Sequence, residues 1–194
     1  MTGLTLASGS VSRRAVLTAA GVSFDWMSPG VDETAVKTEQ LGAGASPQNI
    51  AEVLAGLKAV AVSRERPGLV VGADQTLDLD GYLFDKPHDL AGAKATLTAL
   101  RGTTHRLHSA VAVARAGAVV WRHCETAVLT MWAFDDAFVD RYLADQGETV
   151  LSSVGAYLLE GQGIQLFETI EGDYFSILGL PLLPLLRFLR SSPQ

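Results

Sequence analysis

Two long β segments, Arg106 to Arg115 and Ala118 to Trp132, are separated only by Ala116-Gly117. So short a connection between such runs allows only an antiparallel hairpin, which commits the middle of the chain to β structure. Upstream, strands and helices alternate. Leu4 to Ala7 reads as a short apolar strand, followed by a small-residue turn and a helix closed by Gly21, and Phe24 to Met27 reads as a second strand. Val31-Asp32-Glu33-Thr34 starts a polar loop. Ser46-Pro47 is a strong helix start, and Ile50, Val53, Leu54, Leu57 and Ala61 recur at helical spacing until Pro67-Gly68. Leu69 to Gly72 reads as a buried strand, and Asp80-Gly81 as the turn of a hairpin between Leu77-Asp78-Leu79 and Tyr82-Leu83-Phe84. Asp89 caps a helix bearing Leu90, Ala93, Leu97 and Leu100; Asp135 caps another, with Phe138, Val139, Tyr142 and Leu143, stopped by Gly147. Gly161 to Ile170 returns to strand, and Pro181 opens a last helix. Alternation followed by antiparallel pairing predicts an α/β fold with a mixed sheet. No linker or repeat divides the chain, so a single domain over 1–194 is expected.

Composition narrows what such a fold can serve. Apolar residues make up 48% and charged residues 19%, which excludes disorder. A net charge of -6 argues against a nucleic-acid polymer as partner, because such proteins carry a broad basic surface, but leaves room for a small nucleotide in a local basic pocket. Cys124 is the single cysteine, so no internal disulfide is available. No basic n-region with an apolar h-region opens the chain, and the longest apolar stretch, Ile177 to Leu186, is broken by Gly179, Pro181 and Pro184. A cytoplasmic protein without a membrane partner is expected.

The first helix carries an electrostatic oddity. Ser10 is the expected N-cap, and Val16, Leu17 and Ala20 the buried stripe, which puts Arg13 and Arg14 in the first turn. The helix dipole is already positive there, so each cation costs about 0.3 to 1 kcal/mol unless an anion shares the site. A strand, a Ser/Gly turn containing Ser8 and Ser10, a helix N-terminus and guanidinium groups make a cradle for a phosphate chain. The alternative is an ordinary strand-to-helix turn with two solvated arginines.

Asp74 follows the buried strand directly, with Gly72 and Ala73 leaving space for a ligand at a sheet edge; alone, it also fits a strand-end turn cap. The hairpin after it brings Lys86 back toward Asp74, and Lys58 lies about 80° from Ile50 on its helix, at the edge of the apolar stripe and half-buried. Taken singly, Lys86 and Glu33 are ordinary surface charges. Together these residues fit hydrolysis within a triphosphate, where Glu33 and Asp74 hold a divalent cation, Mg or Mn, and activate water, while Arg13, Lys58 and Lys86 neutralise phosphoryl oxygens. His88, His105, His108 and His123 lack metal-ligand spacing, and His105 and His108 read as strand-surface or packing residues. The G-x-S-x-G elbow of serine hydrolases is absent, and Gly161-Gln162-Gly163 lacks the third glycine of a dinucleotide fingerprint.

The stretch Leu6 to Arg14 (L-A-S-G-S-V-S-R-R), Val31-Asp32-Glu33, Leu57-Lys58-Ala59, Val71 to Gln75 (V-G-A-D-Q), Asp85-Lys86-Pro87, Arg101 to His105 (R-G-T-T-H), Gly155 to Gly161 (G-A-Y-L-L-E-G) and Gly179 to Leu182 (G-L-P-L) occur in this order along nearly the whole chain. Together they resemble the Maf family of nucleoside triphosphate pyrophosphatases. The resemblance implies a single domain with a curved mixed sheet, flanking helices and a deep cleft, related in fold to inosine triphosphatases. It implies a divalent metal, hydrolysis of a nucleoside triphosphate to the monophosphate and pyrophosphate, and a link to septum formation; it allows a homodimer. Asp74 falls on the family's proton acceptor, Ser10, Arg13, Lys58 and Lys86 on its phosphate-handling positions, and Glu33 on its acidic position. Arg14 falls on a variable neighbour, and Val11 replaces the usual proline. A broader inosine triphosphatase-like enzyme and a non-catalytic nucleotide sensor acting on septum formation are the alternatives; intact Asp74, Lys58 and Lys86 favour catalysis.

The same resemblance bears on the base. The branch acting on thymidine and uridine triphosphates has Thr after the catalytic Asp and Gln in the later motif, whereas the branch acting on 7-methylguanosine triphosphate has Gln and Glu. Gln75 and Glu160 match the second branch. A carboxylate accepts from both donors of the guanine edge, N1-H and N2-H. Ser12 stands where an aromatic residue is expected in that branch, removing a stacking contact.

Overall fold

The computed structural model describes residues 3–191. Its strands are β1 (Leu4–Ala7), β2 (Asp25–Trp26), β3 (Leu69–Leu79), β4 (Tyr82–Phe84), β5 (Thr104–Arg115), β6 (Ala118–Met131) and β7 (Phe167–Glu171). They form one mixed sheet in the order β2-β1-β3-β5-β6-β7, with β4 paired to β3. β1 runs parallel to β2 and β3, as the alternating first third predicts, whereas β4 and β7 are antiparallel to their neighbours. Ala116 and Gly117 take φ of 49° and 82°, the left-handed pair that a two-residue turn between twisted strands requires. The helices are α1 (Val11–Ala19), α2 (Glu33–Gly42), α3 (Pro47–Ser63), α4 (Leu90–Leu100), α5 (Asp136–Gln146), α6 (Tyr174–Ile177) and α7 (Leu182–Ser191). None of the described helices is long and apolar enough to cross a membrane.

The residues divide into two compact units. The first comprises Met1–Gln75, His108–Glu125 and Asp173–Gln194. Here strand alternation sorts side chains onto two faces. Leu6, Val71, Ala73, Val111 and Val113 pack with Val16 and Leu17 of α1 and with Leu182 and Leu185 of α7. On the opposite face Ala110, Ala112 and Ala114 meet Ala51, Ala55 and Ala59 of α3, and Val70 meets Val62. The even-numbered residues of β3 therefore face α3. At Gly72 the approach is so close that a Cβ would lie 2.2 Å from the Ala55 carbonyl oxygen and 2.5 Å from the Ala59 nitrogen.

The second unit, Thr76–Leu107 and Thr126–Gly172, holds α4, α5, 3₁₀ turns at Gly147–Ser152 and Gln162–Leu166, and the ends of the long strands. Asp80 and Gly81, at φ 52° and 85°, close the β3–β4 hairpin as the sequence predicts. His105 is fully buried; its Nε2 lies 2.8 Å from the Tyr157 hydroxyl and its Nδ1 has no hydrogen-bond partner. Burial pushes its pKa from 6.5 down to about 4. The fold thus favours the neutral ring, and the unfolded chain binds the extra proton between those values. The stability this confers is complete above pH 6.5 and lost as pH falls through 4, about 3 kcal/mol over that window. Denaturant melts at pH 7 and pH 4 should show this drop, and His105→Gln should flatten it; parallel curves for the two proteins would assign the acid limb elsewhere.

Several expectations are corrected. The segment from Glu33, read as a loop, is α2, capped by the Asp32 carboxylate, which accepts from the Ala35 N–H at 3.0 Å. This helix buries no residue, so it has no apolar stripe to betray it. β3 runs on through Leu79, placing Asp74 inside a strand rather than after one. Gln162–Leu166, expected as strand, is a 3₁₀ turn, and β7 starts only at Phe167. Ala20 is exposed at the end of α1. Lys58 is not half-buried but only 4% exposed.

Candidate active site

The buried stripe of α3 consists of Ile50, Ala51, Leu54, Ala55, Lys58, Ala59 and Val62, and Lys58 stands in its centre. An ammonium in such a place requires partners. It has two: Asp74 Oδ1 at 2.6 Å and Glu33 Oε1 at 2.8 Å. Asp74 reaches it because the even positions of β3 face α3, and because Gly72, one even position earlier, lets helix and strand touch. Asp74 is itself 5% exposed, whereas the Glu33 side chain, at the start of α2, is 45% exposed. Partial burial alone would raise the Glu33 pKa. The charge and hydrogen bond of Lys58, with Lys37 and Arg13 behind it, outweigh that and hold it below the usual carboxylate range.

At the C-terminal end of β1 the chain turns through Ser8 and Gly9 into α1. Ser10 is the N-cap, accepting from the Arg13 N–H at 3.4 Å, and its own N–H donates to Ser8 Oγ at 3.2 Å. The Arg13 side chain folds back over this turn: Nη1 donates to Ser8 Oγ at 3.2 Å and Nε to the Gly179 carbonyl at 2.8 Å. Burial lowers the Arg13 pKa, and the charges of Asp74 and Glu33 oppose that fall, so the group stays a cation. With Nε and one hydrogen of Nη1 engaged, the rest of the planar fork is left for an oxyanion, beside the backbone N–H groups that open α1.

The structure thus brings Ser8, Ser10, Arg13, Glu33, Lys58 and Asp74 together in the first unit. Arg14 turns away from this turn, and its guanidinium stacks 4.2 Å from the centre of the Trp26 ring. Ser12 is half-buried on α1. Gln75, odd-numbered on β3, faces the opposite side of the sheet from Asp74. Its amide nitrogen donates to Ser109 Oγ at 2.8 Å and to the Ser176 and Ile177 carbonyls, each at 3.0 Å. Lys86 and Glu160 belong to the second unit and are exposed there, Lys86 just after β4 and Glu160 just before the Gln162–Leu166 turn. Sequence reasoning has Gly179 only as the first residue of the G-L-P-L motif, without its carbonyl's hold on Arg13, and misses Ser109 and Ser176 beside Gln75. They lie far along the chain from their partners, 166 residues in the case of Arg13 and Gly179, and no local pattern announces these contacts.

Among the described residues no group of three or more His, Cys, Asp and Glu stands together to hold a metal ion. The donor set on offer is the Glu33 and Asp74 pair, which fits a hard divalent cation such as Mg or Mn, an ion commonly held by one or two carboxylates plus substrate phosphate oxygens.

Residues 3–192 match the family described as "Maf-like protein". The chain is 57% identical over 190 residues to the "Nucleoside triphosphate pyrophosphatase" of Caulobacter vibrioides, covering 98% of this chain and 96% of that one. It is 54% identical to the "7-methyl-GTP pyrophosphatase" of Rhizobium johnstonii and 50% identical to that of Brucella abortus, in each case covering 96% of this chain and 94% of the other.

Proposed function

The chain belongs to the Maf family, and from that premise we propose that it cleaves the α–β anhydride of a nucleoside triphosphate at the Arg13–Lys58–Asp74 cluster, releasing the monophosphate and pyrophosphate. The observation that carries this reading is the buried Lys58, held between Asp74 and Glu33 beside a helix N-terminus that is lined with donors. The turn of Ser8 and Ser10, the first N–H groups of α1 and Arg13 bind and orient the phosphate chain. Lys58 fixes Oδ1 of Asp74, so the other carboxylate oxygen is directed at the attacking water and takes its proton. A divalent cation held by Glu33 together with substrate phosphate oxygens would supply charge neutralisation there.

For the base, the relatives named 7-methyl-GTP pyrophosphatase support a guanine-type substrate, the 7-methylated triphosphate first among them. Such an enzyme serves the cytosolic nucleotide pool by removing unwanted triphosphates. Purified protein with Mg or Mn should release pyrophosphate and nucleoside monophosphate in equal amounts. It should favour guanine-type over thymidine and uridine triphosphates in kcat/KM. Release of orthophosphate alone would sink the bond assignment, and a preference for thymidine triphosphate would sink the base assignment while leaving the bond intact.

A further inference from the structure

We propose that Ser109 is a positioning residue for the Arg13 guanidinium, acting through the turn that follows α6; the proposal rests on the reading of Arg13 as a phosphate-binding group. All the residues concerned lie in the first unit. Ser109 is 1% exposed, on the odd-numbered face of β5 that also carries Val111 and Val113. Its hydroxyl donates to the Ser176 carbonyl at 2.6 Å and accepts from the Gln75 amide nitrogen at 2.8 Å. The same nitrogen lies 3.0 Å from the Ser176 and Ile177 carbonyls. Carbonyls only accept, so the amide can stand in one orientation alone, and its two hydrogens are shared among three acceptors.

These contacts grip the end of a helix that has a single turn and little hold of its own. The far side is gripped too. The Ser176 N–H donates to Asp173 Oδ2 at 2.7 Å, and its hydroxyl contacts Asp173 and Glu125. From this anchored point the chain reverses: Gly179 N–H donates to the Ser176 carbonyl at 2.9 Å, Gly179 adopts φ 93°, and its carbonyl receives Arg13 Nε at 2.8 Å. A Cβ on Gly179 would lie 3.4 Å from Arg13 Nε and 3.8 Å from Gln75 Oε1, so guanidinium and amide both lie beside this turn. The direction of the Arg13 fork is therefore set by a backbone carbonyl, and the place of that carbonyl by Ser109 and Gln75. A shift of about 1 Å in such a clamp can cost about 100-fold in rate.

The test is a double-mutant cycle read as kcat/KM with one fixed nucleoside triphosphate. Ser109→Ala should lower kcat/KM about tenfold, mostly through KM and with the pH profile unmoved, and Ser109→Thr, which keeps the hydroxyl, should restore it. In an Arg13→Ala background, Ser109→Ala should have no further effect. A loss undiminished in that background, or no loss in the wild-type background, overturns the proposal. Arg13→Ala without any effect would instead remove the phosphate-site reading, and the proposal with it. Should Ser109→Ala fail to fold, Gln75→Met withdraws the other donor from the same carbonyls, and the same cycle applies with the same outcomes.

Discussion

Asp74→Asn is expected to lower kcat by about 10²- to 10⁴-fold, the range that a positioned general base supplies, while the protein stays folded. The amide keeps the shape of the carboxylate at the 2.6 Å contact, and Lys58 keeps Glu33 as a charged partner, so the buried ammonium is not abandoned. What is lost is the basic oxygen. Because Asp74 faces α3 while the proposed phosphate contacts come from the start of α1 and from Arg13, KM should change far less than kcat. Steady-state kinetics with a melting curve on the same sample makes the check. Activity within a few-fold of wild type in a folded variant would take Asp74 out of the mechanism.

Lys58→Met should act on stability. It leaves Asp74, 5% exposed, as a buried carboxylate without its counter-ion, and removing one member of such a pair typically costs about 3 to 5 kcal/mol. The melting temperature should fall by on the order of 10 °C. Glu33 contributes little to this cost, because its half-exposed side chain can turn to water. The double variant Lys58→Met with Asp74→Asn should regain much of the stability and none of the activity. A double variant as unstable as Lys58→Met alone would show that the cost came from packing around the lysine stem and not from the stranded charge.

Four helix caps and two left-handed turns are legible in the sequence. Ser10, Ser46, Asp89 and Asp135 each cap the helix expected of them, and the turns at Asp80-Gly81 and Ala116-Gly117 fall where predicted. In α3 the buried face is set by small side chains as much as by large ones. Leu57 is 40% exposed, while Ala51, Ala55 and Ala59 are fully or almost fully buried, and counting those alanines moves the stripe onto Lys58. β3 reads short in the sequence for a related reason: Gly72-Ala73-Asp74 looks like a break, but the small residues are where α3 touches the strand and the acid is where its lysine lands. α2 was invisible because a helix that buries nothing has no period to read. The hold of Gly179 on Arg13 was invisible because it is made by a carbonyl, which every residue has.

The bare backbone at Gly72 also fixes a dimension. With no side chain on the strand and only methyl groups on the facing helix, the gap between β3 and α3 cannot be retuned by exchanging core residues. The span from the Lys58 main chain to that of Asp74 is thus a constant of the fold, like the length of a fixed tether. A lysine crosses it with its full aliphatic stem and ends in a compact charge with three hydrogens to share. A shorter amine would stop before the carboxylate, and a guanidinium would bring a broad plane where Asp74 and Glu33 meet a compact ammonium. The cation at the centre of this site is selected by reach and girth as well as by charge.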